Sequence, residues 1–164
     1  MTTEPVGRLL AVCTVNALRP DAGTIGITAI DKRPAAGAVK LGPYGLYADV
    51  RADRKHHGGF DKAVYAYAQE DADWWQAELG SELAPGWFGE NLRLSGIDVN
   101  GARVGERWQI GSAVVEVTMP RTPCQTFARW VGASVGGGAE RGWVKRFPTR
   151  GASAPTCASS RTAK

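Results

Sequence analysis

At 164 residues the chain is long enough for one domain with a real core, since a domain of about 150 residues buries roughly 70% of its unfolded surface. Its 43% apolar and 22% charged residues are those of a globular protein, and 21 glycines with 9 prolines argue for a turn-rich, strand-rich architecture over a helical bundle. The net charge of +4 sits in the last residues, from Lys145 to Lys164; residues 1–144 hold 15 basic against 16 acidic side chains, so the body has no surface suited to nucleic acid.

The predicted elements begin with a buried strand over Arg8–Asn16, a mostly apolar run too short for a good helix. Imperfect alternation around Ile25, Ile27 and Ile30 predicts a second strand over Thr24–Ile30, and Val39–Leu41 is a third after the turn at Pro34–Gly37. Ala63–Tyr67 is rich in β-formers. Over Gln69–Leu79 the pattern changes: Glu70, Asp71 and Asp73 crowd a first turn, where the helix dipole favours anions, and Trp75 and Leu79 fall four apart on one face.

After the Pro85-Gly86 loop, Asn91–Ser95 is extended again. Trp108–Ile110 and Ala113–Met119 flank Gly111-Ser112, a two-residue connection of the tight-hairpin kind. Helical stretches follow over Gln125–Val131 and Ala139–Phe147, separated by glycines. Beyond Phe147 there is no Val, Ile, Leu, Met, Trp or Tyr, and a segment without such side chains cannot offset its ordering entropy. The expected organisation is one domain over 1–147 and a disordered tail over 148–164.

Cys13, Cys124 and Cys157 are odd in number and widely spaced, which is neither a disulfide framework nor a C-x-x-C metal site. A soluble protein of the reducing cytoplasm is the expectation, since no basic-flanked apolar leader and no run of about 18 apolar residues supports secretion or a membrane span.

Three short constellations could carry chemistry. In Pro120-Arg121-Thr122-Pro123-Cys124 two prolines fix the backbone around a cysteine, and Arg121 favours the thiolate, the form that attacks electrophiles and binds soft metals. The same spacing also suits a small buried side chain beside a structural turn. His56-His57-Gly58-Gly59-Phe60-Asp61-Lys62 joins two imidazoles to a Gly-Gly that lets backbone approach a ligand and offers amide donors to an anion. A solvated turn with one packed histidine is the other reading. Phe88-Gly89-Glu90-Asn91-Leu92 places a carboxylate and an amide where they bond either a heterocycle edge or loop backbone. Lys32-Arg33 reads as a phosphate clamp or as solvated surface.

Taken in order, Thr28-Ala29-Ile30-Asp31-Lys32-Arg33-Pro34, Gly45-Leu46-Tyr47-Ala48-Asp49, His57-Gly58-Gly59 with Lys62-Ala63-Val64, Phe88-Gly89-Glu90-Asn91-Leu92, Gly105-Glu106-Arg107-Trp108 and Pro120-Arg121-Thr122-Pro123-Cys124 resemble the MOSC family, named for the C-terminal domain of molybdenum cofactor sulfurase. The resemblance runs from about Gly7 to Phe147 and is strongest to stand-alone bacterial members. It implies a mainly β fold with a few helices, a MOSC-type β-barrel, in which Cys124 is the sulfur carrier or the thiolate that contacts molybdenum.

The implied cofactor is the molybdenum cofactor, molybdopterin, with Arg121, Lys62, Lys32 and Arg33 as candidates for its phosphate. His57, Gly58, Gly59, Asp61, Glu90 and Asn91 are candidates for orienting the pterin or the substrate. The family has been linked to molybdenum-dependent reduction of N-hydroxylated bases and to sulfur delivery. The implied partners are therefore a small-molecule substrate and a redox protein, because the chain has no second redox motif. The alternative is a non-catalytic carrier that accepts sulfur from a pyridoxal-phosphate-dependent cysteine desulfurase; nothing in this chain itself resembles a pyridoxal-phosphate site.

Two departures from the family pattern stand out. Ala48 occupies a position where glycine is usual before Asp49, which strains that turn. The tail Ala154–Lys164 replaces a strand and an acidic ending, and a one-base shift in suitable codons would yield Ala-Tyr-Leu-Arg-Val-Val-Glu-Asp-Gly-Glu. On that reading the tail is frameshifted, the closing strand is missing, and a sheet edge is exposed.

Overall fold

The structure, a computed structural model, describes residues 6–53 and 58–147 and the backbone of 155–158. Among the described residues nine strands run in chain order: β1 (Arg8–Pro20), β2 (Ile27–Pro34), β3 (Leu41–Gly42), β4 (Gly45–Leu46), β5 (Val64–Ala68), β6 (Leu92–Ser95), β7 (Arg107–Ile110), β8 (Ala113–Pro120) and β9 (Pro155–Ala158). The helices are α1 (Gln69–Leu79), α2 (Gln125–Val135) and α3 (Trp143–Arg146), with a 3-10 turn over Phe60–Lys62. The expected mainly β fold with a few helices is the one adopted. Seven strands form one sheet in the order β2-β1-β6-β5-β9-β8-β7, with β5 and β6 parallel and the other pairs antiparallel; β3 and β4 form a separate hairpin. Among the described residues the sheet is open, with β2 and β7 at its edges.

Most predicted elements fall within a residue or two of those observed. Gln69–Leu79 is the first helix, and Gly80 ends it at φ 63° in the left-handed conformation that stops helices. Gly111 takes φ 61° between Ile110 and Ala113, which pair across the predicted two-residue hairpin. The second strand is shifted, running over Ile27–Pro34. Here β1 extends to Pro20 and pairs with Ile27, so Asp21 to Gly26 become the connection. The charged run Asp31-Lys32-Arg33 continues the strand because Asp31 is neutralised from the neighbouring strand by Arg19 at 2.6 Å.

Pro155–Ala158, within the segment expected to be disordered, lies as β9 between β5 and β8, in the position expected to lack a strand. The physical reason is that both neighbours present open edges, and a strand satisfies those N–H and C=O groups with backbone alone, whatever its side chains. The rest of 148–164 lies outside the described residues.

The core is aromatic. Tyr67 of β5 stacks on Phe88 at 4.1 Å, Trp75 of α1 meets Trp143 of α3 at 4.5 Å, and Phe127 of α2 meets Phe147 at 5.0 Å. This cluster seats α2, and with it the Pro120–Cys124 segment that leads into the helix. Among the described residues no helix is long and apolar enough to cross a membrane.

Candidate functional site

A cleft of about 650 Å³ opens between β2, the connection after β1, residues 50–53, and the segment from Met119 into α2. That volume lies in the range of sites for cofactor-sized ligands. Its walls carry Lys32, Arg51, Lys62, Arg121 and Arg129 against Asp21 and Asp53, so the cleft concentrates positive charge in a body, residues 1–144, that has no excess of it. Cys124, Tyr65 and Asn91 also line it.

Cys124 is a free, half-buried thiol at the N-cap position of α2. Pro120 ends β8 and Pro123 precedes the cysteine, so the helix start and two fixed φ angles set its place. The helix's first N–H groups and the neighbouring cations give this end of the cleft a positive potential. Arg121 lies with its guanidinium carbon 5.2 Å from the ring centre of Tyr65, a buried side chain of β5 whose hydroxyl is pushed above the ordinary tyrosine range by burial.

Lys32 and Arg33 do not act as a pair. Successive strand residues point to opposite faces: Lys32 turns into the cleft with its side chain 8% exposed, whereas Arg33 points outward, 66% exposed, toward Asp31. Lys32 is ion-paired at 2.5 Å with Asp49. Burial pulls its ammonium below the ordinary lysine range, and Asp49 opposes that shift. The Asp49 carboxylate also accepts the Val15 N–H at 2.9 Å and the Asn91 amide at 2.8 Å.

Of the other predicted residues, Lys62 reaches the cleft. Gly58 and Gly59 do not line it. Asp61 is exposed away from it, its carbonyl accepting the Thr118 hydroxyl at 2.6 Å, and His57 lies outside the described residues. Glu90 is fully buried and faces the loop it belongs to. Its oxygens accept the Gly86 and Phe88 N–H groups at 2.8 and 3.0 Å and pair with Arg93, so both are engaged within the loop and with β6. Asn91 reaches the cleft wall with its amide committed: Oδ1 accepts from Tyr65 N–H, and Nδ2 donates to the Cys13 carbonyl and to Asp49. A Cβ at Gly86 would lie 2.3 Å from the Lys32 carbonyl oxygen, so glycine there lets this loop close against β2.

Sequence reasoning missed Arg51, Asp49 and the Asp21–Arg129 pair. Asp21 receives Arg129 in a two-point bond, 2.7 Å at each oxygen, with the Thr126 hydroxyl and the Gly23 N–H completing its shell. The Arg129 bond holds the Asp21 carboxyl below its ordinary value, and Asp21 in turn holds Arg129 above its own. The pair ties the β1–β2 connection to α2 across the cleft mouth. No local signal relates residues 108 positions apart; Asp49 did lie in a quoted motif.

The family model for the MOSC domain matches residues 53–161, and the chain belongs to that family, which is associated with the molybdenum cofactor. Among its relatives, the uncharacterized protein YflK of Bacillus subtilis is 39% identical over 105 residues, 64% of this chain and 48% of that protein. Protein YiiM of Escherichia coli is 35% identical over 101 residues, 59% of this chain and 45% of that protein. The chain thus spans about half the length of these relatives. Among solved structures, YiiM of Geobacillus stearothermophilus aligns with a TM-score of 0.69 at 23% identity, over 95% of this chain and 68% of that one. The YuaD protein of Bacillus subtilis aligns at 0.70 and 12%, over 95% and 88%. These likenesses show the fold.

Proposed function

We propose that the cleft binds the molybdenum cofactor, that Cys124 supplies a thiolate to the molybdenum, and that the protein acts in molybdenum-dependent reduction of N-hydroxylated compounds or in sulfur transfer. The observation that carries this reading is the position of one accessible thiol at the end of a cleft walled by five cations. The donor set fits the group. A thiolate is a soft ligand suited to a metal already held by sulfur, and guanidinium and ammonium groups suit a terminal phosphate. When bound, the cofactor would supply a two-electron couple.

The chain's own residues then divide the work. Arg121, Lys62 and Lys32 hold the anionic end. Asn91, its amide committed to three backbone and side-chain partners, fixes the wall between β1 and β5. The Asp21–Arg129 bond keeps α2, and so Cys124, in register with the opposite side of the cleft. Reduction of a hydroxylamine to an amine and water takes two electrons and two protons, which a separate redox protein would supply. A fungal relative from Gibberella moniliformis, 30% identical over 131 residues and matched over 23% of its length, bears the name reductase, which favours this reading.

A second reading, a sulfur carrier that accepts sulfur from a cysteine desulfurase, is favoured by the same half-buried thiol, since shelter from solvent would protect a persulfide. Elemental analysis with pterin detection, on protein made in a cofactor-competent host, separates the two. Near-stoichiometric molybdenum that is lost in Cys124→Ser supports the cofactor reading. Molybdenum retained equally in the variant overturns Cys124 as its ligand, and no metal in either protein with a persulfide on Cys124 supports the carrier.

A further inference from the structure

We infer that Asp49 is a positioning residue, whose buried carboxylate keeps Lys32 charged and aimed into the cleft as the inner anchor for an anion. The inference deepens the reading of the cleft as an anion site and rests on it. Four observations lead there. The Lys32 side chain is 8% exposed and the Asp49 side chain 3%, so neither charge is stabilised by bulk water. Lys32 lines the cleft, and among the described residues its ammonium has one hydrogen-bond partner, Asp49, against a capacity of three donors. Asp49 is itself fixed from two strands, by Val15 N–H of β1 and by Asn91 at the start of β6. The β2 backbone beneath Lys32 is held by the close approach of Gly86.

Such a pair is arranged to act on something else. A buried ammonium with all its donors satisfied would be structural, whereas this one is matched once and turned toward open volume. Taking Asp49 away leaves a desolvated cation, which sheds its proton at lower pH. The groups facing Lys32 are Asp49 after β4, Arg51 beyond it, Arg121 after β8 and Cys13 of β1. Guanidinium groups as a class are not deprotonated in proteins, and burial pushes the Cys13 thiol up to about 12, so it stays neutral. Lys32 is therefore the member of this group whose charge the loss of Asp49 changes.

The test is binding of sulfate, a dianion of fixed charge, followed by NMR chemical-shift titration in the native chain, Asp49→Asn, Asp49→Glu and Lys32→Met. The native chain should bind sulfate with little change from about pH 6 to about pH 9, while Asp49→Asn binds at least as well at the lower pH and loses about tenfold at the higher. Asp49→Glu should restore the flat profile, and Lys32→Met should weaken binding about equally at both. If the native chain does not bind sulfate, the anion-site reading itself fails. If it binds and Asp49→Asn keeps the native pH profile, or Lys32→Met binds as the native chain does, the inference is overturned. Should Asp49→Asn not fold, the native chain with nitrogen-15-labelled lysine decides: a slowly exchanging ammonium resonance that disappears in Lys32→Met supports the inference, and its absence overturns it.

Discussion

Two buried ion pairs lie on either side of Asn91, and they are built for different ends. Glu90 and Arg93 are both fully buried, and every direction around them is filled. The carboxylate takes two loop N–H groups as well as the guanidinium, and Arg93 also donates to Gln69 and to the Ala84 carbonyl and sits over the rings of Tyr67 and Phe88. Lys32 and Asp49 are almost as buried, yet the lysine borders a cleft of about 650 Å³ and has one hydrogen-bond partner among the described residues. Burial and charge are common to both; donor capacity left over beside open volume marks the second. A saturated pair closes the core, and an unsaturated one belongs to a site.

The sharpest way to break this contrast is to remove the acid from the first pair. Glu90→Gln leaves the Arg93 guanidinium uncompensated in the core and should cost about 3–5 kcal/mol in urea denaturation. Lys32→Met should cost less, because the Asp49 carboxylate keeps the Val15 and Asn91 donors. Equal losses would mean that the second pair is as structural as the first.

The two described thiols offer a smaller, kinetic version of the same test. Cys13 is fully buried beside both pairs, and burial, helped by Glu90, pushes its thiol up to about 12; Cys124 is half-exposed in the cleft. In a Cys157→Ser background, iodoacetamide should modify Cys124 in the folded protein and reach Cys13 only on unfolding. The folded protein keeps the Cys13 proton to about 12 while the unfolded chain loses it near the ordinary cysteine value, so stability falls as pH rises between them. Labelling of Cys13 under native conditions at a rate near that of Cys124 would show that the interior is open.

How far the sequence disclosed these features follows from the range of the interactions that make them. Helix α1 was legible because its signals are local: acids in the first turn and apolar residues four apart. The Gly111-Ser112 hairpin was legible for the same reason. Cys124 stood out by the prolines around it, and Lys62 and Arg121 by their neighbours. Glu90 and Asn91 were visible as a motif, but whether a buried acid faces a ligand or its own loop depends on the Gly86 and Phe88 N–H groups, which no pattern reveals. The contrast between Lys32 and Arg33 required the strand to run through charged residues, and the partner that permits it, Arg19, lies on another strand. Arg129 and Asp21, 108 positions apart, meet only once the fold has formed. The strand at Pro155–Ala158 was hidden because its stabilisation comes from the open edges of β5 and β8 rather than from its own side chains.

The smallest effect concerns the turn that carries Asp49. Ala48 has φ 66°, the one non-glycine residue with positive φ among those described, and is exposed. A left-handed conformation costs an ordinary residue roughly 1–2 kcal/mol, because Cβ crowds the following carbonyl. Glycine removes that strain but adds about 0.5–1 kcal/mol of backbone entropy to the unfolded chain. Since nothing packs on an exposed methyl, the balance favours Ala48→Gly by about 0.5–1 kcal/mol in thermal or urea unfolding. Ala48→Val should move the other way by more, since a β-branched side chain tolerates this conformation least. If both variants unfold like the native chain, the turn is not strained at Ala48, and Asp49 is held by its hydrogen bonds to Val15 and Asn91 rather than by the loop that delivers it.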